Sequence, residues 1–341
     1  MLSRLKSAAR ILIKGDPKKN KRNPIPAITL EEVAEMKQFF PREKFFIFGH
    51  ARSGTTLLMR LARLHPEVHC NYQAHFFTRQ PLLKSLVNTP EAEEWLTRKS
   101  NRWNQGGDLS SQVLRATADF IMERDAAKEG KRIVGDKSPS STIHGQAVRD
   151  MHAVYPDAKL VYIVRDGRDV LISERFRNFI EESKFLTSED KSIIEALRKD
   201  QNQFTNGTRS IFTETVIRRV AKGWVANVKE TEDEGRRLFG DQYYGMRYED
   251  LLAHPFEEMQ KLWQFLGVQV DSSLEKIIVD EMSSNPDEEW QAKRNEGIAS
   301  FLPKGQAGNW SRLFTEKDKA VFKEVAGEML IRWGYEKNHS W

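Results

Sequence analysis

The chain has 341 residues, a formal net charge of +5 and 39% hydrophobic residues, which is enough apolar material for one large domain or two small ones. Its single cysteine, Cys70, excludes an internal disulfide and a cysteine-based metal cluster, and it fits a reducing compartment, so we expect a cytoplasmic protein. The charge is mild, and no basic helix or aromatic-basic platform of the kinds usual in nucleic-acid-binding proteins is found. We therefore expect an anionic small molecule as a ligand and no nucleic-acid partner.

Residues 1–40 form a basic N-terminal segment. Eight basic side chains and one acid, Asp16, fall within residues 1–22. One interpretation is a solvated tail. In the other, apolar residues between Met1 and Ile13 line one side of a short amphipathic helix that lies on an anionic membrane. The apolar run is too short and too charged to span a bilayer or to act as a secretory signal.

The first chemically informative segment follows this tail. An apolar run over residues 45–48 ends at Gly49, and a periodic apolar segment follows a loop that contains Gly54. This order predicts a strand, a tight loop and a helix N-terminus, where unpaired N–H groups and the helix dipole favour an anion. The lysine of an ATP-binding P-loop is absent, because Thr55 stands in its place. Since Arg52 supplies the loop's cation, the loop suits a 5′-phosphate that carries one transferable group.

A second apolar run predicts another buried parallel strand over residues 159–164. Arg165 follows this run, and Ser173 lies about two helical turns further along the chain. Ligands of open α/β sheets bind at the carboxyl ends of the strands. Arg165 and Ser173 are therefore predicted to contact a second anionic group of the same ligand.

The order of elements predicts the fold class. Strand-like runs at 44–49, 160–165 and 243–248 are separated by helical stretches, without a long linker rich in proline, glycine or serine. We predict an α/β fold in which a single domain, residues 41–337, has a central parallel sheet flanked by helices. A helix over residues 252–266 and a later helix that opens at Thr315 fit this architecture.

Four motifs follow one another in chain order: Arg52-Ser53-Gly54-Thr55-Thr56; Val164-Arg165-Asp166-Gly167-Arg168-Asp169 with Ser173; Met246-Arg247-Tyr248-Glu249-Asp250-Leu251; and Lys304-Gly305 with Gly308-Asn309-Trp310. They resemble the motifs of sulfotransferases that use 3′-phosphoadenosine-5′-phosphosulfate (PAPS) and release the nucleotide PAP. Together they cover about residues 44–335. The arginine-type loop is more similar to the tyrosylprotein and bacterial carbohydrate or lipid branches than to the phenol and steroid branch.

The resemblance implies the P-loop-NTPase-like sulfotransferase fold and a cofactor site. Residues 53–56, which are Ser53, Gly54, Thr55 and Thr56, would bind the 5′-phosphosulfate. Arg165 and Ser173 would bind the 3′-phosphate. Tyr248 and the pair Lys304 and Gly305 would complete the nucleotide site.

The resemblance also implies in-line transfer of a sulfuryl group to a hydroxyl of a carbohydrate, a lipid or another small acceptor. Negative charge builds on the bridging oxygen as it leaves, and two cations, Arg52 and Lys137, would stabilise that charge. Lys137 lies in residues 133–139, a predicted strand and loop where relatives carry a lysine. No metal-ligand spacing is found among the histidine and acidic residues, so no metal is expected.

The motifs do not by themselves identify the general base. Tyrosylprotein and many bacterial relatives carry a glutamate where this chain has Gln73, and an amide cannot take a proton. We predict His75 as the base, and if this segment is extended, residues i and i+2 point to the same side. Glu174 and Asp136 are alternatives, and some acceptors need little help from a base.

Two other functions are left open by the residues. One is a PAP-binding protein without turnover, because Gln73 stands where relatives carry the glutamate that would act as the base. The other is a P-loop nucleotide kinase, which the missing loop lysine disfavours.

Trp224 is expected either to stack under the adenine or to lie in the core. The acceptor pocket is expected within residues 76–130 and 174–230, on connections over the rigid scaffold.

Overall fold

Helices and strands alternate along most of the chain. The computed structural model describes residues 23–100, 102–181, 186–284 and 306–341. Within these ranges the strands are β1 (Glu43–Gly49), β2 (Val68–Tyr72), β3 (Ile133–Lys137), β4 (Lys159–Val164) and β5 (Tyr243–Arg247). The α-helices are α1 (Leu30–Phe39), α2 (Thr55–Ala62), α3 (Pro90–Thr97), α4 (Ser110–Lys128), α5 (Gly145–Val154), α6 (Gly167–Glu181), α7 (Ser188–Lys199), α8 (Asn202–Thr205), α9 (Glu214–Phe239), α10 (Tyr248–Ala253), α11 (Pro255–Leu266), α12 (Leu274–Ser283), α13 (Trp310–Leu313) and α14 (Glu316–Arg332). Short 3₁₀ turns span Leu83–Leu86, Arg102–Asn104 and Gly240–Gln242.

The five strands of the described ranges form one parallel sheet in the order β2-β3-β1-β4-β5. In the centre, Phe46 of β1 pairs with Asp136 of β3 on one side and with Leu160 of β4 on the other. After β1 the chain crosses to one edge of the sheet, and after β4 it continues to the other edge. The connections therefore diverge between β1 and β4, which is where open α/β sheets bind their ligands.

Alternate residues of β1 enter two separate cores. Phe45 and Ile47 pack with residues of α2, α11 and α12 on one face of the sheet. Phe46 and Phe48 pack with residues of α4, α5, α9 and α14 on the other face. The apolar run of β1 is continuous because both faces of a parallel sheet are covered by helices.

The predicted fold class, an α/β domain with a central parallel sheet flanked by helices, is confirmed. The predicted strands 44–49 and 160–165 are observed as β1 and β4 within one residue. Tyr248 closes the predicted strand 243–248, but in the structure it begins α10. The predicted helix 252–266 is divided at His254, because Pro255 cannot continue a helix and instead starts α11.

Residues 23–40, which the sequence pattern groups with the basic tail, pack on the domain. Ile28 and Val33 are buried, and the Ile28 N–H donates to the Ala153 carbonyl at 2.8 Å. Residues 1–22, with their predicted amphipathic helix, lie outside the described residues. Within the described ranges, no helix combines the length and the apolar character that crossing a bilayer requires.

Candidate active site

The loop between β1 and α2 presents an uncapped helix N-terminus. Gly54, with φ of 82°, is the N-cap residue of α2, and no side chain caps this helix. The N–H groups of the first turn are therefore available to an anion. Ser53 is buried, and its hydroxyl has no hydrogen-bond partner within the described residues. Because an unpaired buried hydroxyl is costly, an anion held in this loop would satisfy it.

Tyr248 covers the loop from the carboxyl end of β5. A Cβ atom at Gly54 would lie 2.1 Å from Cδ2 of the Tyr248 ring, so only glycine permits this approach. The ring is buried, and Cζ of Arg165 lies 5.0 Å from its centroid. The ends of β4 and β5 and the first loop thus meet at one place.

Arg165 and Ser173 lie beside the same loop. Nη1 of Arg165 donates to the Arg52 carbonyl at 3.2 Å, and Nη2 donates to the Gln306 carbonyl at 3.0 Å. The Nε atom of Arg165 is buried without a hydrogen-bond partner in the described part of the chain. The Nε atom of Arg52 donates to the Ser173 hydroxyl of α6 at 3.0 Å. The structure therefore brings Arg52, Arg165 and Ser173 together.

Lys137 ends β3 next to the first turn of α2. The residue is 0% exposed, and its Nζ atom donates to the Thr56 hydroxyl at 3.1 Å. The same atom lies 3.9 Å from the ring centroid of Tyr72, whose ring the sequence motifs did not single out. Burial lowers the pKa of Lys137 to about 8, opposed by the negative charge of neighbouring groups that include Asp136. The ammonium group is therefore mainly protonated at neutral pH.

Backbone strain is concentrated at this site. Four non-glycine residues of the described ranges have positive φ, and three of them are Arg52 (73°), Gln73 (57°) and His75 (55°); the fourth is Gln105. Such conformations are sparsely populated and cluster at functional sites. Residues 73–75 are therefore not extended, so the condition under which His75 would share the side of Gln73 is not met.

The physical reason is a set of hydrogen bonds from β3 and the residue after it. The N–H groups of residues 73–75 all donate to oxygen atoms of residues 136–138, each at 2.9 Å. These contacts fold residues 73–75 into a turn instead of an extended segment. They also keep the turn against the strand that carries Lys137.

His75 is half-buried on this turn. Its Nδ1 atom lies 2.9 Å from the Thr78 hydroxyl oxygen. When Nδ1 carries the proton and donates it to Thr78, the Nε2 lone pair can accept another proton. Burial, together with the positive charges of Arg79 and Lys137, lowers the pKa of His75 from its usual value. The neutral form that a general base requires is therefore favoured at neutral pH.

The two alternative bases have different surroundings. Asp136 is 1% exposed, and its two carboxylate oxygens accept hydrogen bonds from the Ala74 N–H and the Ser138 hydroxyl. Burial raises the pKa of Asp136 to about 6. With both oxygens engaged inside the protein, Asp136 is poorly placed to meet an acceptor. Glu174 follows Ser173 on α6 and is partly exposed.

Asp169 fastens the late motif to α6. Its carboxylate accepts from the Gly308 N–H at 2.7 Å and from the Trp310 N–H at 3.0 Å. Neighbouring Arg168 lies with Cζ at 3.7 Å from the Trp310 ring centroid. These contacts join residues that lie far apart in the sequence and leave no local pattern, so the contacts of Asp169 and Arg168 were not predicted. Residues 304–305, predicted to close over the nucleotide, lie outside the described residues.

Trp224 lies in the core. It is fully buried, and its ring centroid is 6.2 Å from that of Phe322. Of the two roles expected for Trp224, the structure supports packing between helices α9 and α14 and not stacking on a ligand.

Comparison with known proteins identifies the family. The family model for the sulfotransferase domain matches residues 42–334. Protein-tyrosine sulfotransferase A of Caenorhabditis elegans is 24% identical over 300 residues, which are 86% of this chain and 67% of that protein. The protein-tyrosine sulfotransferase of Drosophila melanogaster is 26% identical over 227 residues, which are 65% of this chain and only 38% of that protein. Sulfotransferase 1C2 of Homo sapiens is 27% identical over 183 residues, 50% of this chain and 53% of that protein.

Solved structures of low sequence identity are also similar. Mouse sulfotransferase SULT7A1 complexed with PAP has a TM-score of 0.46 and 17% identity, with 88% of this chain and 89% of that chain covered. The sulfotransferase domain from the curacin biosynthetic pathway has a TM-score of 0.47 and 17% identity, with 84% and 97% covered. Because the family model spans most of the sequence, the predicted family is confirmed, and the chain belongs to the sulfotransferase family of enzymes.

Proposed function

We propose that the protein transfers a sulfuryl group from PAPS to a hydroxyl group of an acceptor. The observation that carries this proposal is the convergence of an uncapped helix N-terminus with three cations, Arg52, Lys137 and Arg165, at the carboxyl ends of the central strands. Membership of the sulfotransferase family supports the same reaction class. When bound, PAPS supplies the activated sulfuryl group.

The nucleotide site is proposed to comprise the first loop and the end of β4. The Ser53 hydroxyl and the Arg165 Nε are buried without partners in the described part of the chain, and a phosphate oxygen would give each of them one. We assign residues 53–56 to the 5′-phosphosulfate, and Arg165 with Ser173 to the 3′-phosphate. Tyr248 shapes the loop through its contact with Gly54. From the family resemblance, we assign residues 304–305 to the same site.

The transfer step is proposed to depend on two cations and one base. Lys137 is held by the Thr56 hydroxyl and the Tyr72 ring, so its ammonium group needs little reorganisation to stabilise charge on the leaving oxygen. Arg52 contributes the second positive charge. His75 accepts the acceptor proton at Nε2 while Nδ1 stays hydrogen-bonded to Thr78.

The proposed acceptor is a hydroxyl of a carbohydrate, a lipid or another small molecule. Two of the similar proteins are named protein-tyrosine sulfotransferases, so a tyrosyl hydroxyl belongs in the test panel.

The eight basic residues within 1–22 are proposed to contact an anionic membrane peripherally. Cosedimentation of the full chain with anionic vesicles tests this contact, and protein that stays in the supernatant would argue against it.

The decisive experiment is transfer of label from sulfur-labelled PAPS to a panel of carbohydrate, lipid and tyrosyl acceptors, with thermal unfolding measured with and without PAP. Binding of PAP to the native state raises the unfolding temperature by mass action. Labelled product together with that shift supports the proposal. A shift without any labelled product favours the alternative suggested by Gln73, a PAP-binding protein without turnover. An unchanged unfolding temperature at saturating PAP overturns the cofactor assignment.

A further inference from the structure

The turn at residues 73–75 is strained, and its three N–H groups are held by β3 and its extension. Gln73 and His75 are both left-handed, which residues with a side chain adopt at a cost. The Gln73 N–H donates to the Lys137 carbonyl, a main-chain contact that most substitutions leave intact. The other two N–H groups depend on side chains. Those side chains decide whether the turn keeps its conformation.

The two side chains form a short relay. The Ala74 N–H donates to Oδ1 of Asp136, and the His75 N–H donates to the Ser138 hydroxyl oxygen, each at 2.9 Å. The Ser138 hydroxyl in turn donates to Oδ2 of Asp136. Asp136 therefore holds Ala74 directly and His75 through Ser138. Both members of the relay are at most 1% exposed, so water cannot easily replace either contact.

Asp136 and Lys137 are consecutive residues of β3, so their side chains point to opposite faces of the strand. A carboxylate on one face fixes the turn, while the ammonium group on the other face contacts Thr56. One strand thus sets the position of the turn relative to the cation. A shift of the turn would therefore change the position of His75 relative to Lys137.

We propose that Asp136 is a positioning residue that, with Ser138, holds residues 73–75 in their left-handed turn and so sets His75 relative to Lys137. Asp136 acts through hydrogen bonds to the turn and does not touch the acceptor. The catalytic consequence rests on the proposed functions of His75 and Lys137, whereas the structural consequence does not.

The structural arm of the test is hydrogen exchange in the apo protein. In Asp136→Ala and Ser138→Ala, amide exchange across residues 73–75 should speed up roughly five- to tenfold, the scale for the loss of one net hydrogen bond. Asp136→Asn keeps an acceptor for the Ala74 N–H and should have a smaller effect. It also serves if the alanine variant at Asp136 does not fold. Unchanged exchange in all three variants would overturn the proposal.

A matched control lies two residues along the same segment. The Ser140 hydroxyl accepts from the N–H groups of Thr142 and Ile143 and has no hydrogen bond to the turn. Ser140→Ala should therefore accelerate exchange at residues 142–143 and leave residues 73–75 as they are. Acceleration at residues 73–75 in this variant would mean that the whole segment loosens together, which contradicts a specific role for Asp136.

The catalytic arm compares turnover with nucleotide affinity. Asp136→Ala and Ser138→Ala should lower kcat about a hundredfold, the scale for misplacing a catalytic group by about 1 Å, with the PAP Kd changed less than about twofold. Faster exchange with normal kcat, or a parallel loss of PAP affinity, would overturn the positioning role. If the wild-type protein transfers no sulfuryl group, the exchange arm still decides whether Asp136 holds the turn.

Discussion

Replacing Gly54 with alanine tests the contact that shapes the nucleotide loop. The new Cβ would lie 2.1 Å from Cδ2 and 2.4 Å from Cε2 of the Tyr248 ring, both far inside van der Waals contact. Because Tyr248 is buried, its ring cannot simply swing into solvent. The loop or the ring must therefore shift, and the N–H groups that we propose bind the phosphate shift with the loop.

Two costs add up at this position. A φ of 82° costs a residue with a side chain about 1–2 kcal/mol, and overpacking costs a further 1–3 kcal/mol or so. We expect Gly54→Ala to lower the free energy of unfolding by about 2–5 kcal/mol, and the unfolding temperature by roughly 3–7 °C for a chain of this length. The stabilisation by PAP should also be lost, because the displaced loop no longer matches the phosphate.

Gly106→Ala is the matched control. Gly106 has φ of 79°, but a Cβ there would meet no atom within 4 Å, so this variant isolates the backbone cost. Thermal and denaturant unfolding with and without PAP should show a loss of only about 1–2 kcal/mol and a normal response to PAP. Equal losses in the two variants, with PAP stabilisation intact in Gly54→Ala, would refute the role given to the Tyr248 contact.

Three further predictions concern the proposed catalytic and binding groups. Turnover should fall as the pH rises through about 8, where Lys137 loses its proton. Lys137→Met should lower kcat about 10²–10³-fold. A turnover that stays constant at alkaline pH would contradict the charge-stabilising role of Lys137. Turnover should also fall as the pH drops through the pKa of His75, which lies below its usual value of about 6.5, and His75→Ala should abolish this limb at a cost of about 10²–10⁴-fold. A near-normal rate in His75→Ala would move the role to Glu174 or show that no protein base is needed. Arg165→Ala should weaken PAP binding measured by calorimetry. Arg52→Ala should lose more turnover than PAP affinity, because the charge that Arg52 stabilises develops during transfer. The same pattern in both variants would contradict the assignment of Arg165 to binding and Arg52 to transfer.

The parts of the site that the sequence predicts are those set by neighbouring residues. The order of apolar run, Gly49, Arg52 and Gly54 predicts a strand, a loop and a helix start because each step depends on residues a few positions apart. The position of Arg165 follows from the end of its own strand in the same way. The sheet then brings both ends together, so the meeting of Arg52 and Arg165 at one edge was predictable once the parallel sheet was inferred.

The parts that escaped prediction depend on residues far away along the chain. His75 is left-handed because its N–H donates to Ser138, which lies 63 positions later. Tyr248 begins a helix although its motif suggests a strand, and the adjacent Glu249 accepts from the Asp166 N–H across 83 positions. Such tertiary contacts override local propensity, and one sequence without its fold does not show them.

The strand order of the sheet has a consequence for synthesis on the ribosome. Of the described strands, β1 is made before the others, yet its partners β3 and β4 begin only at Ile133 and Lys159. At a typical elongation rate of about 5–20 residues per second, the Phe45–Phe48 run waits roughly 5–20 s before β3 is made. During that interval its four apolar side chains have neither a strand beside them nor a complete core. A nascent chain that stops before β3 therefore carries this apolar strand segment unpaired, and we expect chaperones to bind it early.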